Sequence, residues 1–481
     1  MDIESTMEAN KGGFFVHWKN CLKALPRNIK SMVINFTRSI TKIGKDDPRR
    51  VFHSLKVAFA LTLVSLFYYS RPLYDGFGVA GMWAVLTVVV VFEFSVGATL
   101  CKCLNRGCAT LLAGALGVGG QHLASAFGER EKPIVLGILV FILAAGATFC
   151  RFFPKIKARY DYGVVIFILT FCLVAVSGYR VEELFELAHQ RLSTILIGVT
   201  SCMIISIFIC PVWAGEDLHK LVASNIEKLS NYLQGFEVEY FHCSEDKKKC
   251  EKSVLEGYKT VLNSKASEES LANLARWEPG HGRFRLRHPW KQYLKIGALT
   301  RECAYKIETL NNYLNPEIPT SLEFKCKIQE PCTKMISESN KALKVISSSI
   351  KTMTHPSAAK SHIENAKTAV EELKFALETV SLEEAELLSI IPVATVASIL
   401  EEITKSVEKI YESVSELSHL AYFKSVAEPN VSPEKPHLLH RGIIKPVVDI
   451  ENTVDHVEIT IPEITTDSPE KEKTAKPSEH M

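Results

Sequence analysis

Apolar and polar positions divide the chain into two unlike halves that meet near residue 213. Between about 51 and 213, long apolar runs dominate, and each is close to the roughly 17–25 residues that a helix needs to cross a bilayer core. Six segments read as spans: about 52–69, 79–96, 103–127, 134–153, 162–177 and 190–213. The short connections carry the Pro, Gly and charged residues that end helices, as in "SRPLYDGFG", "GEREKP", "FFPKIKARYD" and "SGYRVEEL". Beyond residue 213 the pattern changes to apolar positions three and four apart, as in "LHKLVASNIEKLSNYLQGF" and "HIENAKTAVEELKFALETV". A further run, "SLEEAELLSIIPVATVASILEEITKSVEKIYESVSELSHL", is expected to break or kink at Pro392. Strand signals are nearly absent. The pattern therefore predicts an all-α membrane protein, with six transmembrane helices followed by a cytosolic helical bundle domain. The predicted units are a cytosolic N-terminal segment over 1–50, a membrane domain over 51–213, a helical domain over 214–425 and a disordered tail over 426–481.

Charge near the span ends sets the orientation. Arg27, Lys30, Arg38, Lys42, Lys45, Arg49 and Arg50 precede the first span, and Arg151, Lys155, Lys157 and Arg159 follow the fourth. Both sites, and with them both termini, are expected on the cytoplasmic face. Composition changes this picture little: 481 residues, 47% hydrophobic, with a net charge of +2 that averages over two differently solvated halves. The 13 cysteines are scattered, without the framework of a small secreted domain. No apolar core of a signal peptide lies near Met1. No nucleophile motif, His-rich metal cluster or phosphate-cradling Gly loop is present, so neither an enzyme nor a cofactor is expected, and nothing points to nucleic acid. "GALGVGG" lies inside an apolar run and reads as close helix packing.

Ionisable residues inside spans are costly and face a bundle interior, a partner or a watery path. The candidates are Lys56, Glu93, Lys102, Arg106 and Arg191. Lys102 and Arg106 are four apart and share one helix face. Two like charges do not satisfy each other, so they favour an anion or the single carboxylate of Glu93. Basic side chains along a path are what an anion pore requires. Snorkelling to lipid headgroups competes with that reading, most strongly for Lys56, and Arg191 has Glu183 and Glu186 nearby in sequence. Cys101 and Cys103 are spaced like a metal clip, but two thiolates make an incomplete site, and helix packing is the preferred reading. Asp75, Glu182 and Glu186 form a candidate external cation sensor, with oxygen ligands suited to a hard cation. The competing reading of the two glutamates is a solvated helix start near the positive dipole end. The bland alternative for the whole membrane half is a set of inert anchors.

"RWEPGHGRFRLRHPWKQY" interrupts the second half with Arg276, Arg283, Arg285, Arg287, Lys291 and Lys295. Trp277, Trp290, Pro279 and Pro289 read as structural, and the cations as an anion-concentrating or acidic-lipid surface. Ser468, in "TTDSPEKEK", is a candidate phosphorylation site.

These blocks together resemble a known family. "FYYSRPLYDGFGVAGMWAVLTVVVVFEFSVGATLCKCLNRGCATLLAGALG", "RFFPKIKARYDYGVVIFILTF", "GYRVEELFELAHQRLSTILIG", "CPVWAGEDLHKLV" and the Trp277-Glu278-Pro279 signature are similar, in order, to plant aluminium-activated malate transporters. The resemblance covers about 50–420. It implies a passive anion channel for malate and inorganic anions, in a homodimer embedded in the lipid bilayer. Basic residues would line its path, and Lys102, Arg106, Arg191 and Lys56 are the positions carried over. It also implies outer acids that respond to aluminium in some members, and inhibition by gamma-aminobutyrate through a segment placed here within 217–236. The tail length resembles plasma-membrane members more than vacuolar ones. A coupled carrier or exporter of organic or aromatic acids on a related scaffold is the alternative.

Overall fold

The computed structural model describes residues 27–69, 81–128, 130–177, 184–241, 255–314, 322–378 and 387–424. Among them the chain is helical and contains no strand; two isolated bridges, His281 with Phe284 and Thr354 with Lys424, are the nearest approach to one. The first half comprises α1 (Arg27–Asp46), α2 (Pro48–Tyr69), α3 (Met82–Val91), α4 (Val96–Ser125), α5 (Lys132–Cys150), α6 (Pro154–Ser177) and α7 (Leu184–Phe208). The second comprises α8 (Ala214–Phe241), α9 (Gly257–Leu262), α10 (Lys265–Ala275), α11 (Trp290–Asn311), α12 (Leu322–Thr352), α13 (Ser357–Glu378) and α14 (Leu387–Leu420).

Sequence explains several helix starts. Pro48 opens α2, where a missing N–H costs nothing, and the Asp47 carboxylate accepts from the Arg49 N–H at 3.1 Å. Ser95 caps α4 by accepting from the Ala98 N–H at 3.3 Å. Glu216 and Asp217 fall in the first turn of α8, at its positive end.

Among the described residues, three helical segments are long and apolar enough to cross a membrane: Lys132–Cys150, Pro154–Val176 and His189–Phe208. Residues 52–69 lie within α2 and 103–127 overlap α4, and both helices are seamed with charge. The expected span over 79–96 is shorter than the sequence suggests. Its helix α3 has 10 residues and stops at Val91, and the chain is non-helical from Phe92 to Ser95. The β-branched run "VVVV" does not carry the helix past this point; Ser95 caps a new one.

Large apolar side chains are exposed along the first half, including Phe141, Ile138, Phe149, Leu112 and Leu66, as expected for a surface facing hydrocarbon. Inside, Ala60, Val64, Ala84, Val88, Cys103, Ile195, Val199 and Cys202 join α2, α3, α4 and α7. Ala113, Phe171 and Ala175 join α4 to α6.

The second half buries a conventional water-type core. Leu218, Ile226, Tyr232, Leu233 and Phe236 of α8 pack with Tyr293, Ile296 and Ile307 of α11, Ile328 and Ile346 of α12, and Val396, Ile403 and Ile410 of α14. Pro392 does not break α14: it is the sixth residue of the helix, so its missing N–H affects only the first turns. Deep in this core, the Glu268 carboxylate is 1% exposed. It accepts from Arg301 in a close ion pair, from Asn225 at 3.2 Å and from Ser264 at 2.8 Å.

Removing one partner of a buried pair strands the other charge. Arg301→Ala is expected to cost about 3–5 kcal/mol of stability. Lys295→Ala, which breaks the exposed pair with Glu416, is expected to cost less than about 1 kcal/mol. Thermal unfolding of the detergent-solubilised variants measures both, and equal losses would contradict the assignment.

Candidate anion site and the Glu278 clasp

Lys102 and Arg106 project from successive turns of α4, about two and three turns past its Ser95 cap. Lys102 forms a close ion pair with Glu93, the acid in the break before the helix, and also donates to the Val90 carbonyl at 3.4 Å. Arg106 is 4% exposed and donates only to the Tyr162 hydroxyl, at 3.2 Å. Its Nε is buried without a partner, and no carboxylate pairs with it among the described residues. Tyr162, on α6, also lies under Lys102, whose Nζ is 5.4 Å from the ring centroid. The site is therefore a hydroxyl flanked by two cations, one compensated and one bare. A buried guanidinium with a free N–H suits an oxyanion, which supplies both charge and acceptors.

The other cations predicted for the path are held elsewhere. Lys56, 3% exposed, turns inward and donates to the Cys210 carbonyl at 3.2 Å. Arg191 stacks 4.7 Å above the Trp83 ring on α3, and its Nε is buried without a partner. No hydrogen bond joins either residue to Arg106 among the described residues. Cys101 and Cys103 point to different helices, toward the carbonyls of Arg159 on α6 and Val199 on α7, so they do not face one ion. Asp75 and Glu182 lie outside the described residues. Glu186 falls within α7, but its side chain lies outside them too.

The Trp-Glu-Pro signature forms a second constellation. Glu278 is 7% exposed, and its carboxylate accepts from the N–H groups of Ala214 at 2.6 Å and Gly215 at 3.0 Å. These are first-turn donors of α8, which a helix cannot satisfy internally. Gly97, in the first turn of α4, lies against the same carboxylate, so one side chain caps α8 and touches the start of α4. The approach leaves no room for side chains. A Cβ at Gly97 would strike the Leu274 carbonyl, and one at Gly215 would meet the Trp290 ring. Trp277 rests edge-on against Tyr160 of α6 at 6.3 Å, and the Trp213 ring stacks on His281 at 3.7 Å. Pro279 is exposed, and its carbonyl lies 2.9 Å from His281 Nδ1.

Burial pushes the Glu278 carboxyl up to about 7, although the backbone donors oppose the rise. Behind it, the Tyr293 hydroxyl lies between His219 Nδ1 at 2.9 Å and His288 Nε2 at 3.3 Å. Burial holds both imidazoles down at about 4, so they are neutral at physiological pH. A cavity of about 570 Å³ beside the clasp is lined by Arg276, Arg285, Arg287 and Lys291.

Sequence reasoning found Lys102, Arg106, Glu93 and Glu278 but missed Tyr162 and the role of Gly97 and Gly215. The available signals were a tyrosine at the head of an apolar run and glycines at two helix starts, in "SVGATL" and "WAGEDL".

A helical half with exposed apolar side chains and buried basic residues, joined to a water-type helical bundle, marks a membrane protein. Residues 41–383 match the family model described as "Aluminium activated malate transporter". The chain is 51% identical over 448 residues to aluminum-activated malate transporter 2 of Arabidopsis thaliana, covering 89% of each. It is 49% identical over 436 residues to aluminum-activated malate transporter 1 of the same plant, covering 89% of this chain and 88% of the relative. It is 44% identical over 446 residues to aluminum-activated malate transporter 1 of Triticum aestivum, covering 89% and 94%. The chain belongs to the aluminium-activated malate transporter family, whose members are transporters and not enzymes.

The folded chain holds the Glu278 proton more tightly than the unfolded chain, whose carboxyl titrates near 4.5. The protonated group's stabilisation is complete below that value and is lost as pH rises through about 7. Glu278→Gln is expected to remove this part of the pH dependence of thermal stability. The amide also turns donors toward the backbone donors, so hydrogen exchange at Ala214 and Gly215 should speed up at every pH. Unchanged slope and protection would refute the clasp.

Proposed function

We propose that this chain is a passive channel that conducts malate and inorganic anions across a plant plasma membrane. The observation that carries this reading is Arg106, a buried guanidinium with no carboxylate partner among the described residues, set against the Tyr162 hydroxyl. A site complete in itself would have an internal counter-charge, as Lys102 has Glu93. The relatives' printed names, which specify malate transport, support malate as the anion. Lys102 and Arg106 bind the anion weakly enough to release it, and Arg191 and Lys56 act elsewhere along the path.

In this reading residues 51–213 form six spans, with both termini cytoplasmic. Residues 214–425 form a cytosolic bundle, and two copies of the chain assemble. The exposed apolar belt and the basic residues of 27–50 and 151–159 support the arrangement. Asp75, Glu182 and Glu186 form the external cation sensor, a role in keeping with the relatives' names. Gamma-aminobutyrate acts on residues 217–236 of α8.

A coupled carrier of organic acids is the second reading. The helix interruption at Phe92–Ser95, with Glu93 inside it, favours it, because discontinuous helices mark many carrier sites.

Voltage clamp of cells expressing the chain separates the two. A channel gives currents that reverse at the Nernst potential of malate or chloride whatever the pH gradient, whereas a requirement for a proton gradient selects the carrier. Arg106→Ala is expected to lower conductance severalfold at unchanged surface expression. Lys102→Ala should cost less, because Glu93 already neutralises that lysine. External aluminium, added and withdrawn, tests the sensor.

A further inference from the structure

Helix α1 has no place in the transport reading, yet its two faces are sharply divided. Met32, Phe36, Ile40 and Ile43 repeat at four, four and three residues and so occupy one stripe. They are 73%, 67%, 53% and 46% exposed. By register, Ile29 and Val33 join the same stripe. The opposite arc carries Arg38, Lys42 and Lys45, all exposed, and by register Arg27 and Lys30. Its one acid is Asp46, the last residue. None of Arg38, Lys42 and Lys45 has a carboxylate partner among the described residues.

The helix's chief contact is with α2, the helix it leads into. The corner between them is fixed. Asp47 binds Arg49 at 3.1 Å and Arg50 at 3.6 Å, and Arg49 reaches on to Asp217 of α8 at 2.9 Å. At 20 residues, α1 is about 30 Å long, but its basic arc makes it too polar to cross hydrocarbon. A helix with one apolar stripe and one basic arc lies in the plane of a membrane surface. There the stripe enters the acyl boundary and the cations meet anionic headgroups.

We infer that α1 is an in-plane membrane helix that docks on the acidic lipid leaflet adjoining the start of α2. Two observations select lipid over a second copy of the chain. The basic arc has no acidic complement on α1 itself, so pairing two such helices would bring like charges close. The stripe also runs directly into α2, the first segment of the membrane half. The inference rests on the reading of residues 51–213 as membrane-spanning.

The test uses the full chain in vesicles of phosphatidylcholine, with and without phosphatidylserine. A benzophenone side chain is placed singly at Phe36 on the stripe, at Thr41 on the polar arc, and at Ile138 on α5. Illumination should give lipid adducts at Phe36 severalfold above those at Thr41, with the Phe36 yield rising when phosphatidylserine is present. The double variant Arg38→Glu/Lys42→Glu should lose that rise while keeping the Ile138 adducts. Adducts at Phe36 to a second chain or to another segment of the same chain would overturn the proposal, as would equal lipid labelling at Phe36 and Thr41. Ile138 is 53% exposed on a helix long and apolar enough to span, so failure to label lipid there would overturn the membrane reading itself.

Discussion

One buried carboxylate, Glu278, caps the first turn of α8 where it comes up against the start of α4, and the second half meets the first there. Each helix start leaves N–H groups with no intrahelical acceptor, and a junction between a lipid-solvated and a water-solvated half hides them from water. Glu278 supplies both oxygens to Ala214 and Gly215, and Gly97 lies beside it. The donors carry the positive end of the α8 dipole and offset part of the cost of burial. The price is steric: glycine where the chains come closest, with Leu274, Trp290 and Trp277 closing the space. The clasp sets the bundle against α4, the helix that bears Lys102 and Arg106.

The two halves treat charge by different rules. In the bundle the buried acid Glu268 is surrounded by Arg301, Asn225 and Ser264, so its charge is answered inside the fold. On α4 the accounting is left open on purpose at Arg106, while its neighbour Lys102 is closed by Glu93. A cation left partly unsatisfied in a low-dielectric interior is a standing attraction for an anion. Arg106 stands one helical turn from Lys102, whose charge Glu93 compensates.

Much of this was legible from the order of residues. Period-3.6 patterns located the bundle helices, apolar runs located α5, α6 and α7, and the i,i+4 spacing put Lys102 and Arg106 on one face. The same pattern overextended the segment at 79–96, because apolarity reports solvent and not helix length. The stop at Val91 depends on Ser95 starting a new helix and on Thr99 bonding back to Glu93. At Pro392 the helix runs on without the break that a proline can cause.

Sequence by itself determined which runs are apolar, which helices have one core face, and which ionisable groups are out of place in their surroundings, since these follow from side-chain chemistry and local period. Only the tertiary structure decided who answers those groups. Tyr162 stands 56 positions from Arg106, and Glu278 stands 64 and 63 positions from Ala214 and Gly215. No local pattern encodes such distances. They are set by how helices pack, and packing chose a hydroxyl for the arginine and bare backbone for the glutamate.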